Sequence, residues 1–141
     1  MRIQLKTSNN EPLEIACDRL VFSGGEVQVR LHELPSAADG ANITQLIHDS
    51  NQFMELLLVT NALREKYGPD FPVDLVCPYL PYARQDRVCY PGEAFSLKLA
   101  CGLINAQGYR SVTLFDVHSK VAMGLLARCV KLKTAVVLER Y

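Results

Sequence analysis

Strand and helix patterns alternate along this chain, and the alternation predicts an α/β fold with a mainly parallel sheet flanked by helices. Three observations carry that prediction. Short apolar runs of strand length recur at 43–47, 73–77 and 111–115. Helical periodicity fills the gaps between them, over 52–66 and 95–106. Each gap is long enough for a crossover connection, so successive strands run the same way, and such a sheet is expected to be covered on both faces.

The first 34 residues read as a small antiparallel region. Arg2 to Lys6 alternates polar and apolar, Gly24-Gly25 supplies a turn, and Glu26-Val-Gln-Val-Arg-Leu31 alternates with period two. Pro35 to Asn42 is rich in turn formers. The run 43–47 carries the β-branched residues Ile43 and Thr44 and fits an inner strand. His48-Asp-Ser-Asn51 then punctuates the chain, with Ser50 or Asn51 as the expected N-cap. Phe53, Leu56, Leu57, Thr60, Leu63 and Arg64 fall at helical spacing, and Gly68-Pro69 ends that helix. A strand at 73–77 leads into a polar loop. A second amphipathic helix over 95–106 stops at Gly108. A strand at 111–115, a helix at 121–127 and a last strand at 134–138 complete a single domain over 1–141.

Bulk properties exclude several classes. The chain has 141 residues, 15 basic and 15 acidic side chains, and 49% hydrophobic residues. This is ordinary globular composition, with no charge excess directed at nucleic acid. No apolar run approaches the roughly 18 residues a spanning helix needs, so no membrane partner is expected. The N-terminus lacks the apolar core of a signal peptide. The five cysteines are odd in number and far apart, and Cys77, Cys101 and Cys129 have apolar neighbours. Free thiols in a reducing compartment follow, with the cytoplasm as the expected location. There is no internal repeat and no glycine-rich phosphate loop.

Right-handed crossovers bring the strand ends at Ile47, Cys77 and Phe115 to one edge, where ligands of open α/β sheets bind. Three polar clusters share that edge: His48 to Asn51, Arg84-Gln85-Asp86-Arg87, and Asp116-Val-His118-Ser119. Arg84 and Arg87 offer planar, permanently charged donors suited to phosphate oxygens. Gln85 can donate and accept at once, as an adenine or amide edge requires. Asp116 and His118, at i and i+2 of an extended strand end, point the same way and could share one divalent ion. Each cluster also has a plain alternative. Arginines and an aspartate on a loop form solvated surface networks, and an Asp-x-His pair at a strand end can be a buried hydrogen-bonded pair.

Four stretches together resemble a known family. Pro78-Tyr-Leu-Pro-Tyr-Ala-Arg-Gln-Asp-Arg87 with Gly92-Glu93-Ala-Phe-Ser-Leu-Lys98 is similar to ribose-phosphate pyrophosphokinases (phosphoribosyl pyrophosphate synthetases). So are Phe115-Asp-Val-His-Ser119, Val21-Phe-Ser-Gly-Gly-Glu26 and Asn51-Gln-Phe-Met-Glu-Leu56, in the family's order. The resemblance spans nearly the whole chain but only the amino-terminal half of the family's usual length. It implies a type I phosphoribosyltransferase-like fold and transfer of pyrophosphate from ATP to the 1-hydroxyl of ribose 5-phosphate. Carried onto matching positions, it implies ATP binding by Arg84, Gln85, Asp86 and Arg87, and magnesium binding by His118 with Asp116. It further implies that Phe22 and Glu26 reach the adenine bound by a neighbouring subunit, so the protein is expected to be a homo-oligomer.

Departures from the family pattern qualify these expectations. Gly24 stands where a polar side chain commonly helps to read adenine. Val88-Cys-Tyr-Pro91 replaces a segment that carries lysines and arginines in many members, which weakens the expected phosphate contacts there. Val121, Leu125 and Leu126 follow the Asp116-Val-His118 signature in place of the usual residues, and the amino-terminal segment is short. The ribose 5-phosphate loop and the basic catalytic segment belong to the family's second half, so the chain is expected to be an amino-terminal domain or fragment, with no catalytic residue in this half. Two alternatives stand beside that expectation. One is the same transfer to a larger ribose phosphate such as ADP-ribose, and the other is a non-catalytic regulatory or binding subunit.

Overall fold

Ile3 and Leu5 alternate with Arg2, Gln4 and Lys6, and this period of two sets the first strand. The computed structural model describes residues 1–9, 11–115 and 120–132. β1 (Arg2–Lys6) buries Ile3 and Leu5 and pairs antiparallel with β2 (Pro12–Glu14) on one side and β5 (Gly40–Thr44) on the other. From β5 onward the pairing is parallel, through β6 (Val73–Cys77), β7 (Ser111–Phe115) and β8 (Cys129–Leu132). The sheet order is therefore β2-β1-β5-β6-β7-β8. β3 (Cys17–Val21) and β4 (Val27–Leu31) leave this sheet and form a hairpin of their own. The expected antiparallel amino-terminal region is present, divided between two sheets.

Helices fill the crossovers: α1 (Ser50–Tyr67) between β5 and β6, α2 (Ser96–Ala106) between β6 and β7, and α3 (Lys120–Leu125) between β7 and β8. Each crossover steps to the next strand in the same direction, so right-handed connections put all three helices on one face. Burial follows that rule. Ile43, Val73, Leu75, Cys77, Val112 and Leu114 are buried in one core with Leu56, Val59, Leu63, Leu97 and Ile104 from the helices. The alternate side chains, among them Lys6, Asn42, Thr44, Asp74, Ser111 and Thr113, are only half-buried. Among the described residues the sheet is thus covered on one face, not on both as expected, because no connection reverses direction.

Two polar contacts fix this arrangement. Thr60 on α1 meets the Tyr109 hydroxyl at 2.7 Å, with both residues buried. On the open face, Asp74 accepts from Lys6 Nζ at 2.8 Å, Arg110 Nε at 3.0 Å and Ser111 Oγ at 2.8 Å, and also from Arg110 Nη2. Burial alone would raise the Asp74 carboxyl, but these hydrogen bonds from Arg110, Lys6 and Ser111 outweigh it and hold it well below the usual carboxylate range.

Boundaries differ from expectation in instructive places. β5 begins at Gly40 rather than Ile43, because the Ala41 amide already pairs with the Pro72 carbonyl at 2.9 Å. A Cβ at Gly40 would lie 2.9 Å from that same oxygen. α1 is capped by Asp49 rather than Ser50 or Asn51. The expected strand at 134–138 lies outside the described residues; a strand the sequence does not predict, β8, is formed by Cys129–Leu132. Among the described residues no helix is long and apolar enough to cross a membrane.

Candidate functional site

The carboxyl end of β6 is where the chain turns from core to loop. Cys77 closes the strand, and its thiol donates to the Tyr79 carbonyl at 2.9 Å. Burial pushes that thiol up to about 12, so it is no nucleophile at neutral pH. Leu80 and Ala83 are buried and anchor the loop, leaving Tyr82, Arg84, Gln85 and Arg87 on the surface. A turn from the Tyr82 carbonyl to the Gln85 amide (2.8 Å) sets the bend, and Tyr82 adopts a positive φ of 63° within it. The Gln85 carbonyl then accepts the Leu97 amide at 3.3 Å. No side chain caps α2 at Phe95, so the loop backbone satisfies one of that helix's free amides.

The first turn of α1 faces this loop. Asp49 accepts the Gln52 amide at 2.8 Å, and the Gln52 side chain returns to the His48 amide at 2.7 Å. This reciprocal cap fixes His48-Asp49-Ser50 at the end of β5. Ile47, His48, Asp49, Ser50, Tyr79, Tyr82 and Gln85 line a cavity of about 250 Å³ between helix and loop. Ser50 Oγ and the Tyr82 hydroxyl close it at 3.3 Å. Two of the three sequence clusters therefore converge, through Gln85 and His48-Asp49-Ser50. The positive end of the α1 dipole lies here too, and it favours an anion.

Arg84 and Arg87 are exposed beside the cavity without lining it, and Asp86 is half-buried. Among the described residues no carboxylate forms an ion pair with Arg84 or Arg87. Beyond them the loop folds back on itself, where Glu93 Oε2 accepts the amides of Cys89 at 2.9 Å and Tyr90 at 3.1 Å. Sequence reasoning missed this clasp. A carboxylate three or four residues after two loop amides, next to Gly92, is the signal that could have shown it.

Phe22 and Glu26 stand apart from that cavity, at the tip of the β3–β4 hairpin. Phe22 and Glu26 pair through the Phe22 amide at 2.9 Å, and Gly25 takes the positive φ of 92° that the turn requires. The Glu26 carboxylate folds over Gly24, so close that a Cβ there would meet it at 2.5 Å. Leu20, Val21 and Phe22 are all exposed, and Phe22 keeps 51% of its surface open. The hairpin base is tied down by His32 to Asp18 at 2.8 Å and, more loosely, Arg19 to Glu55 on α1 at 3.7 Å.

Asp116 and His118 lie outside the described residues. Among the described residues, no group of three or more His, Cys, Asp and Glu side chains could hold a metal ion.

Comparison with known proteins supplies the context. The sequence family described as the N-terminal domain of ribose phosphate pyrophosphokinase matches residues 6–108. Ribose-phosphate pyrophosphokinase of Campylobacter jejuni is 35% identical over 104 residues, covering 73% of this chain and 33% of the relative. The enzyme of the same name from Granulibacter bethesdensis is 37% identical over 116 residues, covering 82% and 36%. The chain spans about a third of the length of these curated relatives. Among solved structures, phosphoribosylpyrophosphate synthetase from Mycobacterium smegmatis superposes with a TM-score of 0.71 at 26% identity, over 90% of this chain and 43% of that one.

Proposed function

The chain belongs to the family of N-terminal domains of ribose phosphate pyrophosphokinase, and on that premise we propose that it provides the ATP-holding half of such an enzyme. The reaction is transfer of the β,γ-pyrophosphoryl group of ATP to the 1-hydroxyl of ribose 5-phosphate. The hydroxyl oxygen bonds to the β-phosphorus, the bond from that phosphorus to the α,β-bridging oxygen breaks, AMP leaves, and the hydroxyl proton is released. Such transfers depend on positioning and charge neutralisation more than on covalent help from the protein.

One observation carries this reading. The family match includes the loop of Arg84 to Arg87, and the same loop meets the α1 N-terminus around a cavity at the carboxyl end of the parallel strands. In this reading Gln85 holds the base or ribose edge, Arg84 and Arg87 hold phosphate oxygens, and Asp86 supports the loop. Asp116 and His118 would hold magnesium, a mode in which protein supplies few of the ligands. The ion neutralises charge on the phosphates when bound. Phe22 and Glu26, separate from the cavity and on an exposed apolar tip, act on the ATP of a neighbouring copy, which makes the protein a homo-oligomer. A cytoplasmic setting fits this chemistry.

A second reading is a binding subunit that does not catalyse. The Glu93 clasp favours it, because two loop amides are already occupied and no lysine stands at 88–91. Calorimetry with magnesium-ATP, followed by product assay of the complete protein with ribose 5-phosphate and with ADP-ribose, separates the readings. ATP binding with product from ribose 5-phosphate supports the first. Binding without product from either acceptor supports the second, and absence of ATP binding overturns both.

A further inference from the structure

The β3–β4 hairpin has one face toward α1 and one toward solvent. Cys17, Arg19 and Val21 alternate onto the same face of β3, opposite Leu31, Val29 and Val27 of β4. Cys17, Val29 and Leu31 pack against the core, so this is the face turned to the helix. Arg19 is the only charged side chain that the two strands place on it. Its Nε stands 3.7 Å from Glu55 Oε2 on α1. Among the described residues no other ion pair joins β3 or β4 to a helix.

This pair differs from a fully solvated surface pair, which holds little in place. The Glu55 side chain keeps only 12% of its surface open, against 41% for Arg19. A carboxylate so covered needs a cation beside it, and Arg19 is its ion-pair partner. Burial, and then the Glu55 charge, push the Cys17 thiol up, so the carboxylate is felt along the underside of the hairpin. Beyond Arg19 the packing thins. Leu20, Val21 and Phe22 are exposed, and Phe22 lies three residue steps, about 10 Å, past the pair. The packed base at Cys17 is five steps from Phe22, so a tilt of about 10° there would carry the tip by about 3 Å. Displacements of that size undo a positioned contact.

We propose that Arg19 and Glu55 are positioning residues, whose contact aims the hairpin tip, and Phe22 with it, at the nucleotide held by a second copy of this chain. This role rests on the reading above in which Phe22 and Glu26 act on a neighbouring copy's ATP. It adds what holds the tip on target. Glu55 lies five residues along α1 from Ser50, which lines the cavity of its own subunit. The rival is therefore a local effect, in which the pair steadies its own subunit's cavity through α1.

The test is calorimetric titration of magnesium-ATP into the full-length protein and its variants. Phe22→Ala is expected to weaken binding about tenfold, and Arg19→Met and Glu55→Gln to weaken it about three- to tenfold. Arg19→Lys keeps the charge and should lose less. Circular dichroism checks that each variant is folded, and Arg19→Met, at a partly exposed position, carries the test if Glu55→Gln is not. A second arm co-expresses Arg19→Met and Arg84→Ala subunits under different affinity tags and isolates oligomers that hold both. In a two-fold pair the intact hairpin of one subunit then meets the intact loop of the other, so about half of the sites should regain wild-type affinity. No recovery in the mixed oligomer means that the pair acts inside its own subunit, and overturns the proposal. Unchanged affinity in both tether variants beside a loss in Phe22→Ala also overturns it, and leaves the reading of the tip standing. Unchanged affinity in Phe22→Ala, no mixed oligomer, or no ATP binding at all overturns that reading and the proposal together.

Discussion

The Ser50 hydroxyl and the Tyr82 hydroxyl lie 3.3 Å apart, joining the first turn of α1 to the loop after β6. This contact spans the mouth of the candidate nucleotide cavity and ties together two segments 32 residues apart in sequence. Tyr82→Phe keeps the ring and removes only that bridge. The expected loss is about 0.5–1 kcal/mol by urea denaturation. A loss above about 2 kcal/mol would mean the phenol has a partner of greater weight than Ser50.

Arg84 is exposed and forms no ion pair with a described carboxylate, so its charge is available to a ligand. Arg84→Ala is expected to weaken ATP binding by about 1.5–3 kcal/mol, a typical value for a hydrogen bond to a charged group. Stability should change by less than about 0.5 kcal/mol, as for most surface positions. Calorimetry and thermal denaturation on the same sample read both quantities. Unchanged affinity would remove Arg84 from the site.

Thr60 and Tyr109 test a buried pair. Thr60→Val deprives the Tyr109 hydroxyl of its 2.7 Å partner inside the core. A cost of about 1–3 kcal/mol is expected. Adding Tyr109→Phe removes the orphaned group and should recover part of that loss. A double-mutant cycle in denaturant measures the coupling, and additive losses would show that the two hydroxyls are independent.

The depressed carboxyl of Asp74 makes stability depend on acid. Its folded form binds its proton less readily than the unfolded chain does, so its contribution is fully present above the ordinary carboxylate range. That contribution is lost as pH falls from about 4 toward the lower folded value. Asp74→Asn is therefore expected to cost about 1.5–3 kcal/mol at pH 7 and to flatten the acid limb of the stability curve. Denaturation midpoints measured from pH 7 down to about 2 read the slope. An equal slope in both proteins would place the acid sensitivity elsewhere.

Glu93 holds the Cys89 and Tyr90 amides from an exposed position. Glu93→Ala should leave global stability within about 0.5 kcal/mol. Hydrogen exchange at the two amides is expected to accelerate, because their acceptor is gone. Unchanged protection would mean that the loop is held by other contacts.

The parallel strands and the first two helices were readable because apolar period and turn residues agree there. Val73 to Cys77 buries alternate residues beneath the helices, and Gly68 and Gly108 both take positive φ beyond helix ends. The start of α1 lies one or two residues earlier than the sequence predicts because the Asp49-x-x-Gln52 reciprocal cap competes with Ser50 and Asn51 for the same role. β8 was not seen, since Lys131 interrupts its short run and its pairing comes from β7. The convergence of Gln85 with His48-Asp49-Ser50 was legible from topology. The Glu93 clasp and the Arg19–Glu55 contact were not, because both depend on where a side chain points rather than on residue type or spacing.

The Asp74 contacts also bear on how the strands find their alignment. Its donors come from β1, from β7 and from the residue just before β7, so they meet at one carboxylate only when three strands are in their native offsets. A slip of β6 by one residue would turn Asp74 under the helices and bring Val73 and Leu75 out onto the polar face. There the carboxylate would meet apolar side chains and no cation, at a cost of several kcal/mol. The single acid of β6 thus adds its own penalty to a misaligned sheet, on top of the exposure of Val73 and Leu75.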